Sequence, residues 1–121
     1  LNDLYLQNRV KLIGFCSNPW QWYAGADVFL LSSRWEGLPN VVLESLVCGT
    51  PVIATSESGG VNEIANQVKG GDLVVTSSSS AFINEMLKIK SNPIKKIKKS
   101  LLPDVYHIDS SVSMLEELIN S

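Results

Sequence analysis

Cysteine is scarce in this 121-residue chain, with only Cys16 and Cys48, and histidine is scarcer, with His107 alone. Two thiols cannot build a disulfide framework or a four-ligand zinc site, and their apolar neighbours read as small buried hydrophobes, reduced, in a cytoplasmic protein. Positive charge is not in excess either. Ten Lys+Arg against twelve Asp+Glu leave a formal charge of -2, too little to hold a nucleic-acid backbone, so nucleic acid is not an expected partner. No apolar run approaches the ~20 residues of a bilayer span, and no basic segment leads into an apolar one at the start, so neither a transmembrane helix nor a signal peptide is expected. Internal repeats are absent. The chain opens on Leu1 instead of Met, and Leu1 to Leu6 reads as the tail of an amphipathic helix, which suggests a piece of a longer protein.

What the chain does have is 45% hydrophobic residues and 18% charged ones, enough for the core of one small domain. Short apolar runs alternate with helical patterns. Val10 to Ile13 reads as a strand closed by Gly14, Trp20 to Ala24 as a short aromatic helix, and Val28 to Leu31 as a strand buried on both faces. Pro39 suits a first helical position, and Val41 to Cys48 continues a helix of about ten residues that Gly49 caps and Pro51 stops. Val52 to Ala54 and Leu73 to Val75 read as strands, with Gly59-Gly60 as a turn and Val61 to Asn66 as a short helix between them.

Beyond Ser77 three helices are expected. Phe82, Ile83, Met86 and Leu87 form the first apolar stripe, after a serine tract that offers an N-cap. Ile94, Ile97 and Leu101 form the second, opposite Lys95, Lys96, Lys98 and Lys99. Val112, Leu115, Leu118 and Ile119 form the third, after a capping Asp109 or Ser110. Six of the eight lysines lie between Lys88 and Lys99; a solvated helix face accounts for them, with an anionic membrane surface as the other candidate. Strands alternating with helices over connections too long for hairpins imply a parallel sheet of about four strands, Rossmann-like, with helices on its faces. The class is α/β.

In such a sheet ligands sit at the carboxyl ends of the strands, so the loops leaving each strand carry the chemistry. The richest is Ser32 to Leu38, which runs into a helix whose first N–H groups and positive dipole end suit a phosphate. Gly37 allows a ligand to approach the backbone, and because Pro39 has no N–H the donors are those of Leu38, Asn40, Val41 and Val42. Glu36 and Glu44 stand eight positions apart, one in the loop and one in the helix. Seven glutamates produce roughly 0.4 such pairs by chance, so the placement between strand and helix carries the weight and the interval does not. Two carboxylates beside an anion site suit hydroxyl donors, as on the ribose and sugar of a nucleotide sugar whose phosphates lie between them. Gly59-Gly60, with Glu63, opens another helix whose amides could reach a ligand, although a plain tight turn explains it as well.

The run from Gly25 to Thr55, with Arg34-Trp35-Glu36-Gly37-Leu38-Pro39-Asn40 and Glu44 in it and Gly59-Gly60-Val61-Asn62-Glu63 after it, resembles the carboxy-terminal half of the family 4 retaining glycosyltransferases of the GT-B fold. The resemblance is strong over residues 9 to 76 and weak over the terminal helices. It implies that residues 1–121 are a fragment of the donor-binding second domain of such an enzyme, short of its first strands and of the amino-terminal acceptor domain. It also implies that Glu36 holds donor-sugar hydroxyls near the reacting carbon and Glu44 accepts from the ribose. The amides of Gly37, Leu38, Asn40 and Val41 would receive the diphosphate, and Phe15 would border the base. The donor would be a UDP- or GDP-type sugar, bound without a metal or other cofactor, and the acceptor a glycan or lipid-linked sugar. By the same resemblance the isolated piece would lack transferase activity. The alternative is a degenerate Rossmann-like domain that binds nucleotides without catalysis.

Overall fold

The computed structural model describes residues 4–91 and 98–120. Along the chain run α1 (Trp20–Gly25), β1 (Phe29–Leu31), α2 (Asn40–Val47), β2 (Val52–Thr55), α3 (Val61–Ala65), β3 (Leu73–Thr76), α4 (Ser79–Lys88), a 3-10 turn (Asp104–Tyr106) and α5 (Ile108–Asn120). The three strands form one parallel sheet in the order β1-β2-β3. Leu30 stands opposite Ile53, which stands opposite Val74.

Because the strands follow one another across the sheet and such crossovers are right-handed, α2 and α3 fall on the same face. Their side chains agree. Val42, Leu46, Val61 and Ile64, all fully buried, cluster with Leu31, Val52, Ala54 and Leu73 from that face of the sheet. Ile53 points the other way and is also buried; α4, which packs on β2 and β3, covers it. Helices therefore cover both faces of the central strand, as an α/β domain requires. β1 is less protected: Leu30 is 38% exposed, so this strand is not buried on both faces as its composition suggests.

Helix α2 holds the layers together. Val42 and Leu46, four apart, lie on its buried stripe. It ends in a Schellman arrangement, with Gly49 N–H donating to Leu46 O at 2.9 Å and Thr50 N–H to Ser45 O at 3.0 Å. Gly49 has φ 72°, and a Cβ there would also collide with the carbonyl oxygen of Lys99. The later segment crosses this helix end, and Leu101 N–H donates to Leu46 O at 2.8 Å. At the start of α4, Ser78 of the serine tract is the N-cap, its hydroxyl accepting from Ala81 N–H at 3.2 Å.

Several expectations are corrected. The described sheet has three strands where about four are expected, because Val10 to Ile13 joins no strand among the described residues and is exposed, Leu12 at 83%. A strand needs a ladder partner, and β1 and β3 pair within the described residues only with β2. Leu4 to Leu6 form no α-helix, and residues 1–3 lie outside the described residues. Helix α2 has eight residues where about ten were counted, since Pro39 is its N-cap and not its first turn. The lysine-rich helix is not formed over residues 98–102, and Ile94, Lys95, Lys96 and Ile97 lie outside the described residues. α5 begins at Ile108, ahead of the expected caps.

Candidate functional site

The loop between β1 and α2 is tied to the loop between β2 and α3 at two points. Near β1, Ser33 O accepts from Thr55 Oγ1 at 2.9 Å and from the fully buried Ser58 Oγ at 2.7 Å. At the far end, Gly37 O accepts from Gly60 N–H at 2.9 Å. Between these ties the side chains of Arg34, Trp35 and Glu36 project to solvent. The contact is made backbone on backbone. A Cβ on Gly59 would overlap the carbonyl oxygen of Glu36, and one on Gly60 would lie 2.7 Å from Gly37 O. Gly59 also has φ 58°, so two constraints fall on one residue.

These contacts revise the reading of the glycine pair. Gly60 spends its N–H on Gly37, and the helix that follows is only five residues long, so the pair does more to place Glu36 and Gly37 than to offer amides. Val42 likewise leaves the donor set, because its N–H donates to Pro39 O at 2.9 Å. No side chain caps α2, and among the described residues the amides of Gly37, Leu38, Asn40 and Val41 have no backbone acceptor. That leaves a row of donors at the positive end of a helix.

Glu44 lies one turn further into α2, half-buried, with its Oε2 accepting from Tyr23 Oη at 3.0 Å. Tyr23 is fixed from several sides. Its ring meets Phe29 edge-to-face at 5.4 Å and Trp20 at 6.2 Å, and its carbonyl accepts from Thr50 Oγ1 at 2.7 Å. Burial, and then the hydrogen bond to Glu44 and its negative charge, push the Tyr23 phenol up to about 12. The phenol therefore remains a donor, holding one carboxylate oxygen and leaving Oε1 its lone pairs. The same surroundings, burial first and Glu44 second, raise the Cys48 thiol, against a smaller opposing effect of Lys98. Lys98 turns inward, its Nζ donating to Ala26 O and, at 2.8 Å, to Thr50 Oγ1.

Two expected residues are not drawn in. Phe15 is 95% exposed beyond Gly14, and Trp35, in the loop before α2, is 90% exposed. A cleft of about 260 Å³ does lie at the carboxyl ends of the strands, as the fold requires. Its walls include none of Glu36, Gly37, Leu38, Asn40, Val41 and Glu44. Among the described residues no three His, Cys, Asp or Glu side chains gather to hold a metal ion, and no helix is long and apolar enough to cross a membrane. Sequence reasoning missed Tyr23 and Lys98. Neither carries a local signal, since the partners of Tyr23 and Lys98 lie 21 and 48 or more positions away.

The family model described as glycosyl transferases group 1 matches residues 2–101. The chain belongs to this family. Among curated relatives, it is 31% identical over 101 residues to the N-acetylgalactosamine-N,N'-diacetylbacillosaminyl-diphospho-undecaprenol 4-alpha-N-acetylgalactosaminyltransferase of Campylobacter jejuni, a match covering 83% of this chain and 28% of that protein. To an uncharacterized glycosyltransferase of Methanocaldococcus jannaschii it is 45% identical over 64 residues, 53% of this chain and 16% of the relative. To the UDP-Gal:alpha-D-GlcNAc-diphosphoundecaprenol alpha-1,3-galactosyltransferase of Escherichia coli it is 28% identical over 95 residues, 78% of this chain and 24% of the relative. The matches thus span between 16% and 28% of these relatives. The group 1 family is the one that the run around Glu36 and Glu44 resembles.

Proposed function

We propose that this chain is the donor-binding portion of a retaining glycosyltransferase that moves a sugar from a nucleoside diphosphate to an acceptor hydroxyl in glycan or polysaccharide biosynthesis. The observation that carries the reading is the pair of ties at Ser33 and Gly37, which hold Glu36 and the row of unpaired amides in one fixed arrangement. Catalysis by positioning and charge stabilisation needs such a pre-set frame. The amides of Gly37, Leu38, Asn40 and Val41, with the dipole of α2, meet the charge on a leaving UDP or GDP. Glu44, steadied by Tyr23, takes the ribose hydroxyls through its second oxygen. Glu36 holds hydroxyls of the donor sugar at the reacting carbon, with no metal in the scheme, and Phe15 borders the base. The acceptor is a glycan or lipid-linked sugar brought by a further domain facing this rim, and two of the relatives are named for undecaprenol-linked sugars. Peripheral contact with the inner face of a membrane fits such an acceptor.

The test is a titration of the chain with UDP and GDP, followed by amide NMR. Saturable shifts at Gly37, Leu38, Asn40 and Val41, lost in Glu44→Ala, support the reading. Binding to neither nucleotide defeats it. Nucleotide binding by a full-length protein that transfers no sugar favours the degenerate, binding-only domain instead.

A further inference from the structure

The cleft of about 260 Å³ lies on the α4 side of the sheet, where the chain leaves all three strands. Ser32 comes from the end of β1, Thr55, Ser56 and Glu57 from β2, and Thr76 to Ser79 from β3, while Phe82 and Ile83 of α4 supply an apolar wall. Some of its hydroxyls are committed to the fold. Thr55 Oγ1 donates to Ser33 O, Thr76 Oγ1 donates to Ala54 O at 3.3 Å, and Ser78 caps α4. The side chains of Ser32, Ser56, Glu57, Ser77 and Ser79 make no hydrogen bond among the described residues, and all five are exposed.

The chemistry of this lining is selective. Four uncommitted hydroxyls both donate and accept, one carboxylate only accepts, and a half-buried aromatic ring flanks them. Among the described residues no basic side chain lines the cleft, so a phosphate or other anion would meet the Glu57 charge without a cation from them to offset it. A neutral ring carrying several hydroxyls answers every feature: adjacent hydroxyls donate to the carboxylate, the serines serve the rest, and the C–H face lies on Phe82. The volume falls below the ~300–1,000 Å³ of sites for drug-sized ligands, so a single ring is the fitting size. Glu57 also borders a shallower depression formed with Arg34 and Trp35, which places the cleft next to the loop bearing Glu36.

We infer that this cleft is a carbohydrate subsite for one neutral sugar ring, separate from the Glu36 and Glu44 rim, with Glu57 as its specificity-determining acceptor. The ring belongs to the acceptor, since the donor sugar is assigned to Glu36 outside this cleft, and one experiment tests this. The isotope-labelled chain is titrated with methyl glucoside, galactoside, N-acetylglucosaminide and N-acetylgalactosaminide, then with UDP and with the matching UDP-sugars. At least one sugar should give saturable shifts at Ser56, Glu57, Ser77 to Ser79 and Phe82, and Glu57→Gln, a substitution at an exposed position, should weaken it roughly tenfold by removing the charge-assisted bonds. Shifts from a free glycoside that persist under saturating UDP mark an acceptor ring. Shifts from a UDP-sugar but from neither UDP nor glycosides would put the donor's ring here and overturn the inference. Cleft shifts retained in Glu44→Ala, which removes nucleotide binding, support the subsite even if the proposed donor site fails. The inference is overturned if no sugar moves the cleft residues saturably, or if Glu57→Gln binds as well as the parent chain.

Discussion

Tyr23 and Glu44, 21 positions apart, meet through a 3.0 Å hydrogen bond from the phenol to Oε2. The bond joins α1 to α2 and fixes the orientation of a carboxylate on the rim where nucleotide binding is proposed. Replacing Tyr23 by Phe keeps the ring contacts with Phe29 and Trp20 but leaves Glu44 without this donor. Loss of a hydrogen bond to a charged group costs about 1.5–3 kcal/mol, reduced here because Glu44 is only half-buried. Urea denaturation should show a loss of about 1 kcal/mol in Tyr23→Phe. UDP or GDP affinity should fall several-fold with no shift in which amides respond.

Alkali supplies an independent check on the same pair. With its folded value raised to about 12 from 10.0, Tyr23 keeps its proton in the folded chain while the unfolded chain releases it. The unfolded state then binds fewer protons, so stability must drop with rising pH. The contribution is complete below pH 10 and disappears as pH climbs towards 12. Melting temperature should therefore fall more steeply across that window in the parent chain than in Tyr23→Phe, and parallel curves would refute the linkage.

Gly59 and Gly49 make a controlled comparison. Both sit at positive φ, 58° and 72°, where an alanine costs about 1–2 kcal/mol, and each also faces a carbonyl that a Cβ would strike. Each alanine variant should lose at least about 2 kcal/mol of stability once the clash is included. Only Gly59→Ala displaces Glu36, so it alone should also abolish nucleotide-induced shifts at Gly37 and Leu38. Gly49→Ala, at the other end of α2, should bind normally at temperatures where it is folded.

Leu46 measures how far the fold depends on α2. It is fully buried against the sheet, so Leu46→Ala should cost about 2–5 kcal/mol in denaturant titrations. A loss below about 1 kcal/mol would mean that the cluster of α2, α3 and the sheet is not the main core.

The isolated chain should show no sugar transfer from UDP- or GDP-sugars while still binding the nucleotides. Turnover by this polypeptide alone would contradict the assignment of the acceptor to another domain. Within the full-length protein, Glu36→Gln should reduce turnover far more than it weakens donor binding.

The alternation of strands and helices was legible because each buried strand declares itself by composition and each helix end by Gly49, Pro51 or a serine. Glu36 and Glu44 were legible from their place between a strand and a helix. Val10 to Ile13 misled for a physical reason: β-branched and apolar residues favour a pleated ladder, but only a neighbour with unpaired backbone groups can provide one. Lys98 looked like part of a solvated lysine face because the Thr50 and Ala26 oxygens it meets come from a distant part of the chain. The glycine pair at 59 and 60 signalled a turn, and nothing local announces that another loop presses against it. What escaped the sequence is contact between segments far apart in the chain, and Tyr23 is the costliest omission because it governs a residue of the candidate site.

The uncovered flank of β1 has a practical outcome. Among the described residues Phe29 to Leu31 is hydrogen-bonded on one side only and Leu30 is 38% exposed, so the isolated polypeptide offers a seam onto which another extended segment can zip. In concentrated solution the polypeptide should self-associate through this seam, raising its sedimentation coefficient as concentration rises. Leu30→Lys, which repels a second copy at the same place, should keep it monomeric.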